Sequence, residues 1–313
     1  MDFQNKMETV IQVRNLQKRF GEVKAVDGLD FEVQRNEIFG LLGPNGAGKT
    51  TTISMICGLL KPSGGSITFA NEKDRKSLIG YCPQENIFYP RLTCLEQLVF
   101  IGRMYGLSSK SIKKRASELL ELLGLQDKRH VIATNLSGGM KRRLNICLAL
   151  IHNPEILILD EPETGLDPQS RILVREFIKS FGKEQTILIT THNMDEADRL
   201  ASRVAIIDHG KLLLLDTPQN LKKTVGEGDI LEFVIENADH TKLTLFLKMI
   251  TPLVPDIKTS TDSIIIKHPN VIEHLPAIKN IAEKNGLVIN EIRLRENTLE
   301  DVFIHLTGRK LRQ

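Results

Sequence analysis

The period of apolar and polar positions changes several times along the chain, and each change marks an element. Thr9–Arg14 and Gly28–Val33 read as strands of an antiparallel layer, and the unbroken run Ile38-Phe39-Gly40-Leu41-Leu42 begins a series of βα units. From Thr93 to Leu123 the period becomes helical. Ile112, Ala116, Leu119 and Leu123 fall on one face, and Gly124 is a natural stop. Ile156-Leu157-Ile158-Leu159 reads as a buried parallel strand, with further strands at Thr186–Thr190 and Arg203–Asp208. A polar linker with two glycines, Leu221 to Gly228, then separates a second pattern: strand Ile230–Ile235, helix Thr241–Ile250, strands Ile257–Ser260 and Ser263–Lys267, helix Val271–Lys284, strand Leu287–Leu294, and a closing helix at Leu299–Leu306. That βαββαβ order predicts a small ferredoxin-like α+β domain. The expected domains are therefore 1–222 and 229–307, the first of them α/β.

The first apolar run of the βα series leads into Gly43-Pro44-Asn45-Gly46-Ala47-Gly48-Lys49-Thr50, followed by Thr51. A strand feeding a glycine-rich turn and then a helix is the context of a phosphate-binding P-loop. Backbone N–H groups and the positive helix end cradle a polyphosphate there. Lys49 supplies a cation for the β- and γ-phosphates, and the Thr50 hydroxyl is placed to ligate Mg²⁺. The strand at Ile156–Leu159 ends in Asp160-Glu161-Pro162. Asp160, at its tip, would hold Mg²⁺ through water, and Glu161 would polarise an attacking water as general base. The expected ligands are a nucleoside triphosphate and Mg²⁺.

Leu136-Ser137-Gly138-Gly139-Met140, shortly before that strand, separates this chain from other P-loop proteins; a P-loop kinase or GTPase has no reason to carry it. Here the sequence resembles the nucleotide-binding subunit of an ATP-binding cassette (ABC) transporter, over about residues 9–222. The resemblance implies a P-loop cassette with a RecA-like core, an antiparallel β layer and a helical subdomain. It also implies roles. Gln84, in Tyr81-Cys82-Pro83-Gln84, matches the glutamine that senses Mg²⁺ and the attacking water. Asp167, in Gly165-Leu166-Asp167-Pro168, matches the D-loop, His192 the switch histidine that contacts the γ-phosphate, and Phe20 the aromatic against adenine. Ser137, Gly138 and Gly139 would act on the ATP of a partner subunit, so the family pattern implies a homodimer, or a heterodimer with a related subunit. Met140 departs from the family's commoner glutamine. Lys141, Arg142 and Arg143 are expected on a solvated or phosphate-adjacent face of the helix that follows, read as Lys141–Leu150. Ile87, Phe88, Tyr89, Leu92 and Leu95 fall where the family docks its membrane subunit.

Charge and composition narrow the partners. With 42 Lys and Arg against 39 Asp and Glu, the net charge is +3, and no basic field argues for nucleic acid. Cys57, Cys82, Cys94 and Cys147 are scattered without C-x-x-C spacing, as in reduced thiols of a cytosolic protein. The segment Met1–Lys6 shows no signal-peptide pattern, and no apolar run reaches the roughly 18 residues of a membrane span. His268 and His274 lack ligand spacing and are expected at the surface. The close from Asn297 to Arg309 resembles the tail of daunorubicin-resistance-type ABC exporter ATPases. The expectation is thus an ATPase subunit paired with an ABC-2-type membrane permease, cytoplasmic and peripheral on the inner face of the membrane. The alternatives are the ATPase of an ABC importer or a soluble ABC ATPase.

Overall fold

The computed structural model describes residues 8–71, 74–224, 229–235, 240–259, 263–268 and 271–308. Met1–Lys6, Val225–Gly228, Ser260 and Arg309, all used in the sequence reading, lie outside the described residues. Two compact units divide between Pro218 and Gln219, ahead of the expected linker.

The first unit opens with a long hairpin, β1 (Thr9–Phe20) and β2 (Val23–Gln34), joined antiparallel by β4 (Gly64–Phe69) in the order β2-β1-β4. β1 outruns the expected end at Arg14 because its register shifts between Val13 and Leu16, where Asn15 has φ 44°. A bulge moves the strand by one position, so Val13 and Leu16 are both buried and the alternation breaks while the strand continues. Between β2 and β4 lie β3 (Ile38–Leu42) and α1 (Lys49–Ile56). Then follow α2 (Arg75–Leu78), β5 (Ile79–Cys82), α3 (Cys94–Met104), α4 (Ser109–Leu122) and α5 (Gly138–Leu150). The helical stretch after Thr93 is thus two helices. Ile112, Ala116, Leu119 and Leu123 are buried as expected, and Gly124 takes φ 62° at the stop.

The remaining elements of the cassette complete a six-stranded sheet. They are β6 (Ile156–Asp160), α6 (Pro168–Phe181), β7 (Thr186–Thr191), α7 (Met194–Leu200), β8 (Arg203–Asp208) and β9 (Lys211–Asp216). Strand order is β5-β6-β7-β3-β8-β9, parallel except for β9. β4, β5 and β9 were not expected. One apolar core (Ile11, Phe31, Phe39 and Ile158 among others) includes residues of the hairpin and this sheet; another (Leu98, Leu119, Leu144, Leu157) includes residues of α3–α5 and β6.

The second unit begins within α8 (Pro218–Thr224), at Gln219, and continues β10 (Asp229–Ile235), α9 (His240–Ile250), β11 (Asp256–Thr259), β12 (Ser263–His268), α10 (Val271–Lys284), β13 (Ile289–Arg295) and α11 (Leu299–Thr307). Its sheet order, β11-β12-β10-β13, is antiparallel throughout, the ferredoxin-like arrangement. Leu231, Phe233, Phe246 and Ile266 form its own core.

Candidate functional site

Three neighbouring parallel strands deliver the candidate groups to one edge of the six-stranded sheet. The order β6-β7-β3 sets Asp160 and Glu161 at the end of β6, His192 just past β7, and the glycine-rich loop just past β3. Open α/β sheets bind their ligands outside such carboxyl ends.

The loop is built for close approach. Gly48 has φ 103°, and a Cβ there would stand 2.5 Å from the Ala25 carbonyl oxygen. Only glycine meets both demands. α1 starts at the next residue, so its first N–H groups open onto the loop. Asn45, Gly46 and Thr50 are exposed, Thr51 is half-buried, and Ala47 is buried. Lys49 is buried and points back: Nζ donates to the carbonyls of Gly43 (2.8 Å) and Pro44 (3.2 Å) and lies 3.4 Å from Glu161 Oε1. Burial lowers the pKa of this ammonium, and the charge of Glu161 opposes that shift.

Glu161 is buried and held from several sides. Its Oε2 accepts from Thr164 Oγ1 at 3.1 Å and lies 2.8 Å from His192 Nδ1. An ionised carboxylate can only accept, so the pair assigns the proton to Nδ1 and leaves Nε2 as the outward ring nitrogen. The backbone of Glu161 stands at φ 50°, a left-handed conformation costing a side-chain-bearing residue roughly 1–3 kcal/mol. Its N–H donates to the carbonyl and the hydroxyl of Thr190, both at 3.1 Å.

Asp160 supplies the test for a divalent cation. Its Oδ1 accepts from the Thr190 hydroxyl, while Oδ2 is buried without a hydrogen-bond partner. A buried carboxylate oxygen left bare calls for a ligand. Thr50 and Gln84 offer exposed side chains. No group of three or more His, Cys, Asp and Glu among the described residues could hold a metal alone. The sparse oxygen set of Thr50, Gln84 and Asp160 fits Mg²⁺, which keeps waters and takes phosphate oxygens.

Ser137 and Gly138 are exposed at the start of α5, where Ser137 Oγ caps the helix by accepting from the Met140 N–H at 3.3 Å. α5 begins at Gly138 rather than Lys141. Gly139 is buried; a Cβ on it would lie 1.9 Å from Ser170 Oγ. Ser170 in turn donates to Asp167 Oδ2 (2.6 Å) through its hydroxyl and to Oδ1 (3.0 Å) through its N–H. These bonds make Asp167 the cap of α6 and hold its carboxyl below the usual range. No hydrogen bond among the described residues joins Ser137–Gly139 to the P-loop. Phe20 is exposed at the end of β1, with Lys18 Nζ 5.2 Å from its ring centre.

Two expectations fail. Arg142 and Arg143 are buried, not solvated. Arg143 Nη1 donates to the carbonyls of Leu123 (2.7 Å) and Gly124 (3.3 Å), closing the end of α4. From Leu144 to Leu150 every residue but Asn145 is apolar, on all sides of α5, and that signal of a buried helix was there to be read. His268 and His274 are half-buried and edge-to-face, their rings 4.6 Å apart. Sequence reasoning also missed Thr190, Thr164 and the buried Glu163, which takes a two-point contact from Arg175 at 2.9 and 2.6 Å. A cleft of about 800 Å³ is lined by Leu59, Pro83, Ile87, Met104, Tyr105 and Leu148 among others.

Residues 26–164 match the ABC transporter family model. The chain is 38% identical to the linearmycin resistance ATP-binding protein of Bacillus subtilis, covering 97% of this chain and 100% of that one. It is 37% identical to the Nod factor export ATP-binding protein I of Cupriavidus pinatubonensis (98% and 93% covered). With the daunorubicin resistance ATP-binding protein of Streptomyces coeruleorubidus, identity is 36% (96% and 96% covered). Among solved structures, a dimeric ATP-binding cassette in a post-hydrolysis state, bound to ADP and Pi, superposes with a TM-score of 0.60 at 25% identity. That match covers 66% of this chain and 98% of the other.

Proposed function

The chain belongs to the ABC transporter family, and from that premise we propose that it is the ATP-binding and ATP-hydrolysing subunit of an ABC-2-type exporter. One observation carries the reading: at the carboxyl edge of three adjacent strands, Glu161 lies within ion-pair reach of Lys49 and hydrogen-bond reach of His192. ATP stacks its adenine on Phe20, and its phosphates enter the loop from Gly43 to Thr51. Lys49 exchanges the carbonyls of Gly43 and Pro44 for β- and γ-phosphate oxygens. Water then attacks the γ-phosphorus, the bond to the ADP oxygen breaks, and Glu161 takes the proton. His192 orients the γ-phosphate while its Nδ1–H donates to Glu161. Mg²⁺, held through Thr50, Gln84 and Asp160, supplies charge neutralisation on the phosphates when bound.

ABC ATPase subunits dimerise and work with membrane permeases. For this chain the reading is a homodimer in which Ser137, Gly138 and Gly139 of each subunit, beside Asp167, complete the ATP site of the other. The exposure of Ser137 and Gly138 supports it. A permease helix would lie in the cleft lined by Leu59, Ile87 and Met104, an exposed apolar patch of the kind that marks an interface. No helix among the described residues is long and apolar enough to cross a membrane. In this reading the chain sits on the inner membrane face through its permease. Relatives named for drug resistance and for export support outward transport. The cassette spans 1–222, and 229–307 is an accessory domain that tunes association.

Glu161→Gln tests the proposal. ATP binding should persist while phosphate release falls by roughly 10²–10⁴, and the variant should collect as an ATP-bound dimer on gel filtration. Turnover close to that of the parent would remove Glu161 as the base.

A further inference from the structure

Arg142 lies on the first turns of α5 and is 2% exposed. Among the described residues, every hydrogen bond it makes goes to a main-chain carbonyl. Nη2 donates to Asp160 O (2.6 Å) and Nε to Pro162 O (3.2 Å). Nη1 donates to Pro83 O and to Gln84 O (3.3 Å). A buried cation is retained at a cost, and what it holds says what it is for. Asp160 O and Pro162 O flank Glu161, the residue in the left-handed backbone conformation. The other two carbonyls belong to the loop that presents Gln84.

A planar fork is suited to this task. Its donors diverge in one plane and reach several acceptors at once, which a single ammonium cannot do. The turn at Glu161 also hangs from Thr190 on β7, but those bonds fix only the N–H of Glu161. The carbonyls on either side are fixed from α5. Movement of α5, or of the loop around Gln84, therefore reaches the Glu161 carboxylate through one guanidinium.

We propose that Arg142 is a positioning residue for hydrolysis: it sets the turn that aims Glu161 and ties that turn to α5 and to the Gln84 loop. The proposal rests on the reading of Glu161 as the base. Its expected signature is a split. Arg142→Gln should lower kcat roughly 10- to 100-fold, the scale of a misaimed catalytic group, with the Kd for ATP changed by no more than about threefold. Arg142→Lys keeps the buried cation but not the fork, so it should fold even where the glutamine variant does not, and still lose kcat selectively.

The test measures kcat, KM and ATP affinity on the full purified chain well below its unfolding temperature. The variants are Arg142→Gln, Arg142→Lys, Glu161→Gln and the Arg142→Lys/Glu161→Gln double. If Arg142 acts through Glu161, the double variant is no slower than Glu161→Gln alone. Folded Arg142 variants with the parent's kcat would overturn the proposal, as would losses that multiply in the double variant. Parental turnover in Glu161→Gln alone would instead sink the base assignment, and that outcome is read independently of Arg142.

Discussion

At the scale of single residues, Lys49 spends its resting bonds on the carbonyls of Gly43 and Pro44 and on the carboxylate of Glu161. Base and phosphate ligand thus neutralise each other until nucleotide arrives. With the ammonium gone, Glu161 keeps its contacts to Thr164 and His192, so the resting fold should survive. Binding is another matter, since charge-assisted hydrogen bonds to phosphate contribute about 1.5–3 kcal/mol. Lys49→Ala should weaken ATP binding roughly 10- to 100-fold and leave the unfolding temperature near that of the parent. Calorimetric titration alongside thermal unfolding checks both; unchanged affinity would discard the P-loop assignment.

At the scale of elements, the connection from β7 to α7 is a closed ring of bonds around Glu196. The Thr191 hydroxyl donates to Glu196 Oε2 (2.5 Å) and accepts from the Asn193 N–H (3.0 Å). Asn193 Oδ1 accepts from the Glu196 N–H (3.1 Å) and caps α7. Burial pushes the Glu196 carboxyl up to about 8, with the hydroxyl of Thr191 opposing and the charges of Glu163 and Glu161 adding to the rise. The folded chain therefore holds a proton near neutrality that the unfolded chain has released. The sign follows from linkage: this contribution is complete below the ordinary carboxylate value of 4.5 and is lost as pH rises through about 8. The slope is at most about 1.4 kcal/mol per pH unit. Glu196→Gln, neutral at every pH, should flatten the fall of Tm between pH 5 and 8. Thermal unfolding of both proteins over a pH series measures it, and parallel slopes would assign the loss to another group.

At the scale of the whole molecule, the chain is two units with separate cores, and each motif aimed at nucleotide lies before Pro218. A chain ended after Thr224 should remain folded and bind ATP within about threefold of the full protein. Its ATP-driven dimerisation or its co-purification with a permease should weaken, because a domain without chemistry of its own acts on association. Gel filtration with ATP and pull-down from membranes compare the two lengths. Loss of ATP affinity in a folded, shortened chain would mean that part of the site lies in the second unit.

The periodicity of the sequence determined every strand of the second unit to within two residues at each described end, and its ferredoxin-like order followed. The apolar runs before Gly43 and Asp160 gave β3 and β6 in the same way. Such patterns are local: burial on one face repeats every two or 3.6 residues, and a glycine or proline ends the repeat. The bulge at Asn15 hid half of β1 because it breaks that repeat without ending the strand. Strand order is not local, and no pattern near Leu42 says that β7 lies between it and β6. Packing of elements distant in sequence decided that Glu161 meets both Lys49 and His192, and that Asp160 Oδ2 is left bare. It also turned Arg142 inward. A basic run reads as solvated because charge prefers water, and only a folded cluster of main-chain carbonyls can offer a better partner.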